Sequence, residues 1–249
     1  LFERGRSGAQ LTAFGATFLP DAQALVQQFD AVRERTAQSR RGERGALHIG
    51  FGLSTLTLAP RYVAAFKARH PDLDITLKDL SSAQQTKCLQ DGRLDLGFVR
   101  LPVAKGLASL PLLGDQLALA VPQHSPWQDL PKKWDGVNAQ GFVALAPTRG
   151  PGLHAQVERW CAAKAFTPRV VQTADDLQTV LALVAAGVGV ALVPFGAAAL
   201  ALQGLRWLPV AHPAARWKLG LAWAAQREHA AAARFVQMVR EDSSERLHG

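Results

Sequence analysis

Apolar residues at Phe18, Ala22, Leu25, Phe29 and Val32 follow one another in steps of 4, 3, 4 and 3. That alternation is the seam of a helix that pairs with another helix. Thr12 stands where an N-cap is expected, and the polar stretch Arg33 to Arg44, with Gly42 and Gly45, marks the end. Pro20 lies inside this span, where it removes one backbone hydrogen bond and is expected to bend the helix without breaking it. The seam meets no complementary apolar stretch nearby. Pairing with a second copy and packing on the chain's own core are both open at this point.

From Ala46 the pattern changes to short apolar runs alternating with helical periodicity. Strands are expected at Leu47–Phe51, Leu73–Leu77, Leu94–Val99, Leu117–Val121, Phe142–Leu145, Arg169–Gln172, Val188–Val193 and Trp217–Trp223. Helices are expected at Leu56–Arg69, Ser82–Asp91, Leu153–Lys164, Asp176–Ala186 and Glu228–Val239. Such alternation argues an α/β architecture with largely parallel sheets. The Pro-rich loop from Pro122 to Gly141 reads as a crossover into a second subdomain, and the terminal strand and helix as a return to the first.

Composition narrows the function classes. Hydrophobic residues make up 48% of the 249 and charged residues 19%, which suits a globular chain with real cores. No apolar run reaches the roughly 18 residues a membrane helix needs, and the start, Leu1 to Arg6, has no apolar core of an export signal. Cys88 and Cys161 are too few for a disulfide framework and lack metal-ligand spacing. A cytoplasmic, membrane-free protein with no metal or other cofactor is the expectation. The formal net charge of +8 is diffuse, with +2 from residues 1–44 and +6 from the remainder. It fits nucleic acid or anionic ligands without choosing between them.

Candidate chemistry gathers at strand-to-helix junctions. Ser54-Thr55, Ser81-Ser82, Pro147-Thr148-Arg149-Gly150 and Thr173-Ala174-Asp175 each follow an expected strand. A hydroxyl there can simply cap its own helix. Together, however, these junctions lie where open parallel sheets bind ligands, and helix N-termini offer N–H groups and a positive dipole end to an anion. Two facing subdomains would form a cleft for a small carboxylate, with Arg149 as a direct partner. Gly50-Phe51-Gly52 lacks the third glycine of a dinucleotide site, and Gly187-Val188-Gly189 lies on the wrong side of a strand. No G-x-S-x-G or H-E-x-x-H motif is present, and an enzyme is not expected.

Four segments then carry a family pattern. They are Leu1-Phe2-Glu3-Arg4 with Leu11-Thr12-Ala13-Phe14-Gly15; Pro71-Asp72-Leu73; Gln90 through Phe98; and Val184 through Pro194. In this order they resemble the LysR-type transcriptional regulators over essentially the whole chain. The resemblance implies three parts: a remnant wing of a winged helix-turn-helix at residues 1–11, a linker and dimerisation helix at 12–44, and an effector-binding domain at 45–249. The last would have the two α/β subdomains of a type 2 periplasmic-binding-protein-like fold, subdomain I at about 46–121 and 218–249 and subdomain II at about 122–217. It further implies promoter DNA as partner, a homodimer or homotetramer joined through Phe18, Ala22, Leu25, Phe29 and Val32, and a small-molecule inducer. Ser81 to Gln85 and Gly97 to Arg100 look closest to the branch sensing aromatic acids and muconate-like catabolites. On that resemblance the inducer contacts fall on Ser54, Ser82, Phe98 and Thr148, with Thr55 and Arg149 adjacent. A free-standing solute-binding protein of the same fold is the alternative.

Arg4 and Arg6 are the wing-like cations expected to touch phosphate or the minor groove. The 249 residues hold no helix-turn-helix ahead of them, so no recognition helix reads the major groove. This chain is expected to bind DNA weakly and without sequence preference. A gel-shift assay showing tight, operator-specific binding would contradict that.

Overall fold

The structure is a computed structural model that describes residues 1–5, 8–40 and 45–248. The chain starts with an antiparallel pair, β1 (Phe2–Gly5) and β2 (Gly8–Leu11), in which Phe2 faces Leu11 and Arg4 faces Ala9. Helix α1 (Ala13–Arg40) follows at once. Thr12 caps it, accepting the Gly15 N–H at 2.9 Å, while the Thr12 N–H donates to the Leu1 carbonyl at 3.0 Å. That carbonyl would lie 2.1 Å from any Cβ at position 15, so the close approach of the first residue demands glycine there. The helix runs through Pro20 without interruption.

Its seam is uncovered. Leu25 is 70% exposed and Phe29 65%, and Phe18 and Val32 are exposed as well, with Ala22 partly so. Packing on the chain's own core, one of the two outcomes left open, is not what these described residues do.

The first lobe is built around β3 (Gly45–Phe51), α2 (Leu58–Arg69), β4 (Leu73–Asp79), α3 (Ser82–Gln90) and β5 (Leu96–Arg100). Strand β3 pairs in parallel with β4 on one side and with β5 on the other. Alternate residues of β3, Leu47 and Ile49, enter a core with Leu96, Phe98, Phe66 and Phe235. Gly50 and Gly97, adjacent across the β3–β5 ladder, make room for the fully buried Gln85 of α3. A Cβ at either position would come within 2.9 Å of the Gln85 side chain. Gln85 also donates to the Leu80 carbonyl at 2.8 Å, which pins the start of α3 against the strand ends.

Strand β6 (Leu107–Pro122) is sixteen residues long and belongs to both lobes. A long excursion follows: α4 (Asp135–Gln140), β7 (Phe142–Leu145), α5 (Pro151–Ala163), β8 (Val170–Ala174), α6 (Leu177–Ala185), β9 (Ala191–Pro194) and β10 (Leu205–Pro209). The chain comes back along β11 (Arg216–Ala224), which pairs antiparallel with β5, and ends in α7 (Ala230–His248), whose Phe235 and Val239 join the first core. Residues Leu107 to Gln116 of β6 pair with β11, whereas Leu117 to Pro122 pair with β9 and β10. The sheet therefore changes lobe inside β6, ahead of the Pro-rich loop where the sequence places the crossover.

The sheet order β10-β6-β11-β5-β3-β4 is mixed, which departs from the largely parallel sheets expected. Among the described residues the parallel strand pairs are β3 with its neighbours and β7 with β8, with an isolated parallel bridge between Phe142 and Val190. The reason is the double passage between lobes: β6 leaving and β11 returning lie side by side and must run in opposite directions. The second lobe has its own core of Leu117, Leu119, Phe142 and Trp160, with Trp134 edge-on to Trp160 at 4.7 Å.

Candidate effector cleft

A cleft of about 300 Å³ lies between the lobes, at the carboxyl ends of β3, β4 and β5 on one side and of β7 and β8 on the other. Ser54, Thr55, Ser82, Phe98 and Arg149, five of the six residues proposed from sequence to meet an effector, line it together. Thr148 does not line it, and the α5 cap is Gly150 with no side-chain hydrogen bond. A Cβ at Gly150 would sit 2.4 Å from the end of the Leu145 side chain, which packs closely against this turn.

Each of the five contributes differently. The Thr55 hydroxyl donates to the Gly52 carbonyl at 2.9 Å, so its proton is engaged within its own turn. Phe98 is 2% exposed and packs against Tyr62 and Phe235, which makes it a core residue that reaches the cleft. Ser82 accepts the Arg100 backbone N–H at 3.1 Å and keeps its own proton free to donate. Arg149 donates through Nε to the Asp175 carbonyl at 3.2 Å and has further N–H groups to offer.

Helix ends meet at the same cleft. Ser81 caps α3 in a reciprocal box with Gln84. The α5 N-terminus is uncapped by any side chain. Asp176 caps α6, accepting the Thr179 N–H and hydroxyl at 2.7 Å each, and these bonds hold its carboxyl below the usual carboxylate range. The α6 dipole end thus already has its anion, whereas those of α3 and α5 do not.

One charge in the cleft is not among the site residues proposed from the sequence. Arg100 ends β5 and crosses the cleft, donating through Nη1 to the Gly152 carbonyl of α5 at 3.0 Å. Its guanidinium carbon lies 3.8 Å from the centroid of the Trp217 ring. Burial pulls its pKa down to about 10, and the like charge of Arg159 adds to this, while Asp115 opposes it. It stays protonated at neutral pH, with one of five N–H donors used by a hydrogen bond among the described residues. The available signal is a cation directly after an apolar strand, at the end of the sheet where ligands bind.

Asp115 sits inside β6 where the strand changes lobe. It accepts the Gln116 N–H at 2.8 Å and the Gly196 N–H at 3.1 Å. Burial raises its carboxyl above the ordinary range, against the Ser54 hydroxyl, the two N–H groups and Arg100, which favour the charged form. Ser54 therefore stands between the cleft and this hinge carboxylate.

The DNA-facing candidates divide. Arg4 lies on β1, and Arg6 falls outside the described residues. Among the described residues no cluster of His, Cys, Asp and Glu could hold a metal ion, and no described helix is long and apolar enough to cross a membrane.

Residues 40–244 match the family described as the LysR substrate binding domain. HcaR, the Hca operon transcriptional activator of Escherichia coli, is 32% identical over 200 residues, covering 78% of this chain and 66% of its own length. The crystal structure of CbnR, a LysR family transcriptional regulator, aligns with a TM-score of 0.75 at 24% identity, over 96% of this chain and 84% of that one, a likeness of fold. The BenM effector binding domain with its effector benzoate aligns with a TM-score of 0.63 at 25% identity, over 81% of this chain and 93% of that one.

Gly196 shows how tightly the hinge is closed. A Cβ there would lie 2.9 Å from the Ser54 Cα, 3.0 Å from the Ser54 carbonyl oxygen and 3.2 Å from Asp115 Oδ2. Because two of these are backbone atoms, Gly196→Ala is expected to force the lobes apart locally and to lower stability by about 1–3 kcal/mol. Urea denaturation of the two proteins measures this, and an unchanged midpoint would contradict it.

Proposed function

The chain belongs to the LysR family of transcriptional regulators, and on that premise we propose that its cleft binds a small organic anion whose arrival alters promoter binding by an oligomer. The observation that carries the reading is Arg100: a half-buried guanidinium stacked on Trp217, lining the cleft with one of its N–H groups in a hydrogen bond among the described residues. Burying a charge without a full set of partners is costly, and a carboxylate offers the bidentate acceptor that a guanidinium fits. The N-termini of α3 and α5, the Ser82 hydroxyl and Arg149 add donors around the same space. Apolar walls such as Leu80 and Leu153 suit a ring or a short carbon chain. An aromatic acid fits this setting, as benzoate does for BenM.

Ligand in such a cleft touches both lobes, so it favours one relative placement of them over another. The seam of α1 supports pairing of copies, since it presents Phe18, Leu25, Phe29 and Val32 outward. The paired β1 and β2, with Arg4 and Arg6, would lie toward promoter DNA, and the protein would act in the cytoplasm without turnover of its ligand. The same exposed seam disfavours a monomeric solute-binding protein.

Calorimetry against aromatic acids, dicarboxylates and their neutral amides tests the cleft. Carboxylates should bind and amides should not, and Arg100→Gln should weaken binding at least about tenfold, with Arg100→Lys recovering part. Binding of neutral or cationic compounds alone would sink the anion reading. For the oligomer, sedimentation should show a dimer or larger species that Leu25→Asp with Phe29→Asp converts to a monomer. A monomeric parent protein would overturn the role of the seam.

A further inference from the structure

Charges in the cleft are unevenly paired. Asp79 ends β4 and lines the cleft with Arg100. Strand β3 lies between β4 and β5, so Asp79 and Arg100 are about 10 Å apart across the sheet, and the register offsets them further along it. Asp176, by contrast, caps α6 with the Arg149 charge nearby, while Arg149 reaches the backbone carbonyl of Asp175. The Asp79 carboxylate has no hydrogen bond or ion pair among the described residues. Although Asp79 is an exposed residue, the surrounding walls desolvate its carboxyl enough to raise it above the ordinary range, with no cation close by to offset the effect.

Opposite ends of one cleft therefore make opposite demands. Arg100, the α3 and α5 helix ends and Ser82 want an acceptor with negative charge. Asp79, acceptor-only when ionised, repels a second carboxylate and wants a donor. We propose that the effector is a monocarboxylic acid with a hydroxyl or amino group at the far end of a ring-sized body, its carboxylate on Arg100 and its donor on Asp79. This rests on the cleft being the effector site. It separates two ligand kinds that the resemblance leaves together: a ring acid with a distal donor fits, and a dicarboxylate of the same length places its second charge against Asp79. A single ring bearing polar groups at opposite ends, with a hydrogen bond beyond each, is of the same order as the two-strand separation across the sheet.

Calorimetry of the chain with benzoate, 4-hydroxybenzoate, 4-aminobenzoate and terephthalate tests the assignment, using the parent protein and Asp79→Asn. In the parent, 4-hydroxybenzoate or 4-aminobenzoate should bind about tenfold tighter than benzoate, and terephthalate more weakly than benzoate. In Asp79→Asn the advantage of the donor should shrink to about twofold or less, while terephthalate gains, because an amide can donate to its second carboxylate. Terephthalate as the tightest ligand of the parent would overturn the assignment. So would four equal affinities or a ranking unchanged in Asp79→Asn, each leaving the anion cleft standing. Failure of all four acids to bind would remove the cleft reading and this one with it.

Discussion

The antiparallel ladder between β6 and β11 is the constraint on which the rest of the molecule depends. Each lobe closes a core of its own, one around Phe66, Phe98 and Phe235 and the other around Trp160 and Phe142. What sets these cores relative to each other is a pair of strands passing in opposite directions, with the change of sheet at Gln116 and Leu117. Backbone hydrogen bonds make such a ladder stiff along its length, while a register shift between Leu219 and Gly220 marks a local irregularity beside the crossing. The cleft is thereby walled by both lobes.

Electrostatics at the crossing follow from this arrangement. Arg100 leaves the first lobe, reaches the first turn of α5 in the second, and stacks on Trp217 of the returning strand. Asp115 occupies the outgoing strand and ties itself to Gly196, while Ser54 and Arg100 both favour its charged form. On the function proposed above, a ligand carboxylate entering this group would compete with the Gly152 carbonyl for the guanidinium, and the contact holding the ligand would also span the lobes.

Much of the fold is legible along the chain because its signals are local. Thr12 caps α1 since a hydroxyl needs only the N–H three residues on. The seam from Phe18 to Val32 is a helical period read directly from spacing, and the strands around Ile49, Ile75 and Phe98 announce themselves as apolar runs between turn residues. The grouping of Ser54, Thr55, Ser82 and Arg149 in one cleft is likewise legible, because parallel strands carry their following turns to the same end of a sheet. Thr148 is not brought in, although its neighbour Arg149 is: the turn ahead of α5 is closed by the Arg149 and Gly150 N–H groups on the Ala146 carbonyl, and spacing does not say which side chain such a turn aims inward.

Sequence alone, then, determined most of the helices and strands of the two lobes, though not β1, β2, α4, β10 or the first part of β6, and it determined which turns end at the cleft and which helical face is left apolar. Periodicity and capping act over a few residues, and so they are written in the order of the chain. Only the tertiary structure decided that the sheet is mixed, that the lobes exchange within β6, and that Arg100 and Asp79 line one cleft. Those outcomes depend on Trp217 stacking on Arg100 from 117 residues away, on Gly152 reaching it from the other lobe, and on which carboxylates already have a cation or an N–H beside them. Desolvation and pairing of charge are properties of the space around a side chain, which exists only after the chain has folded.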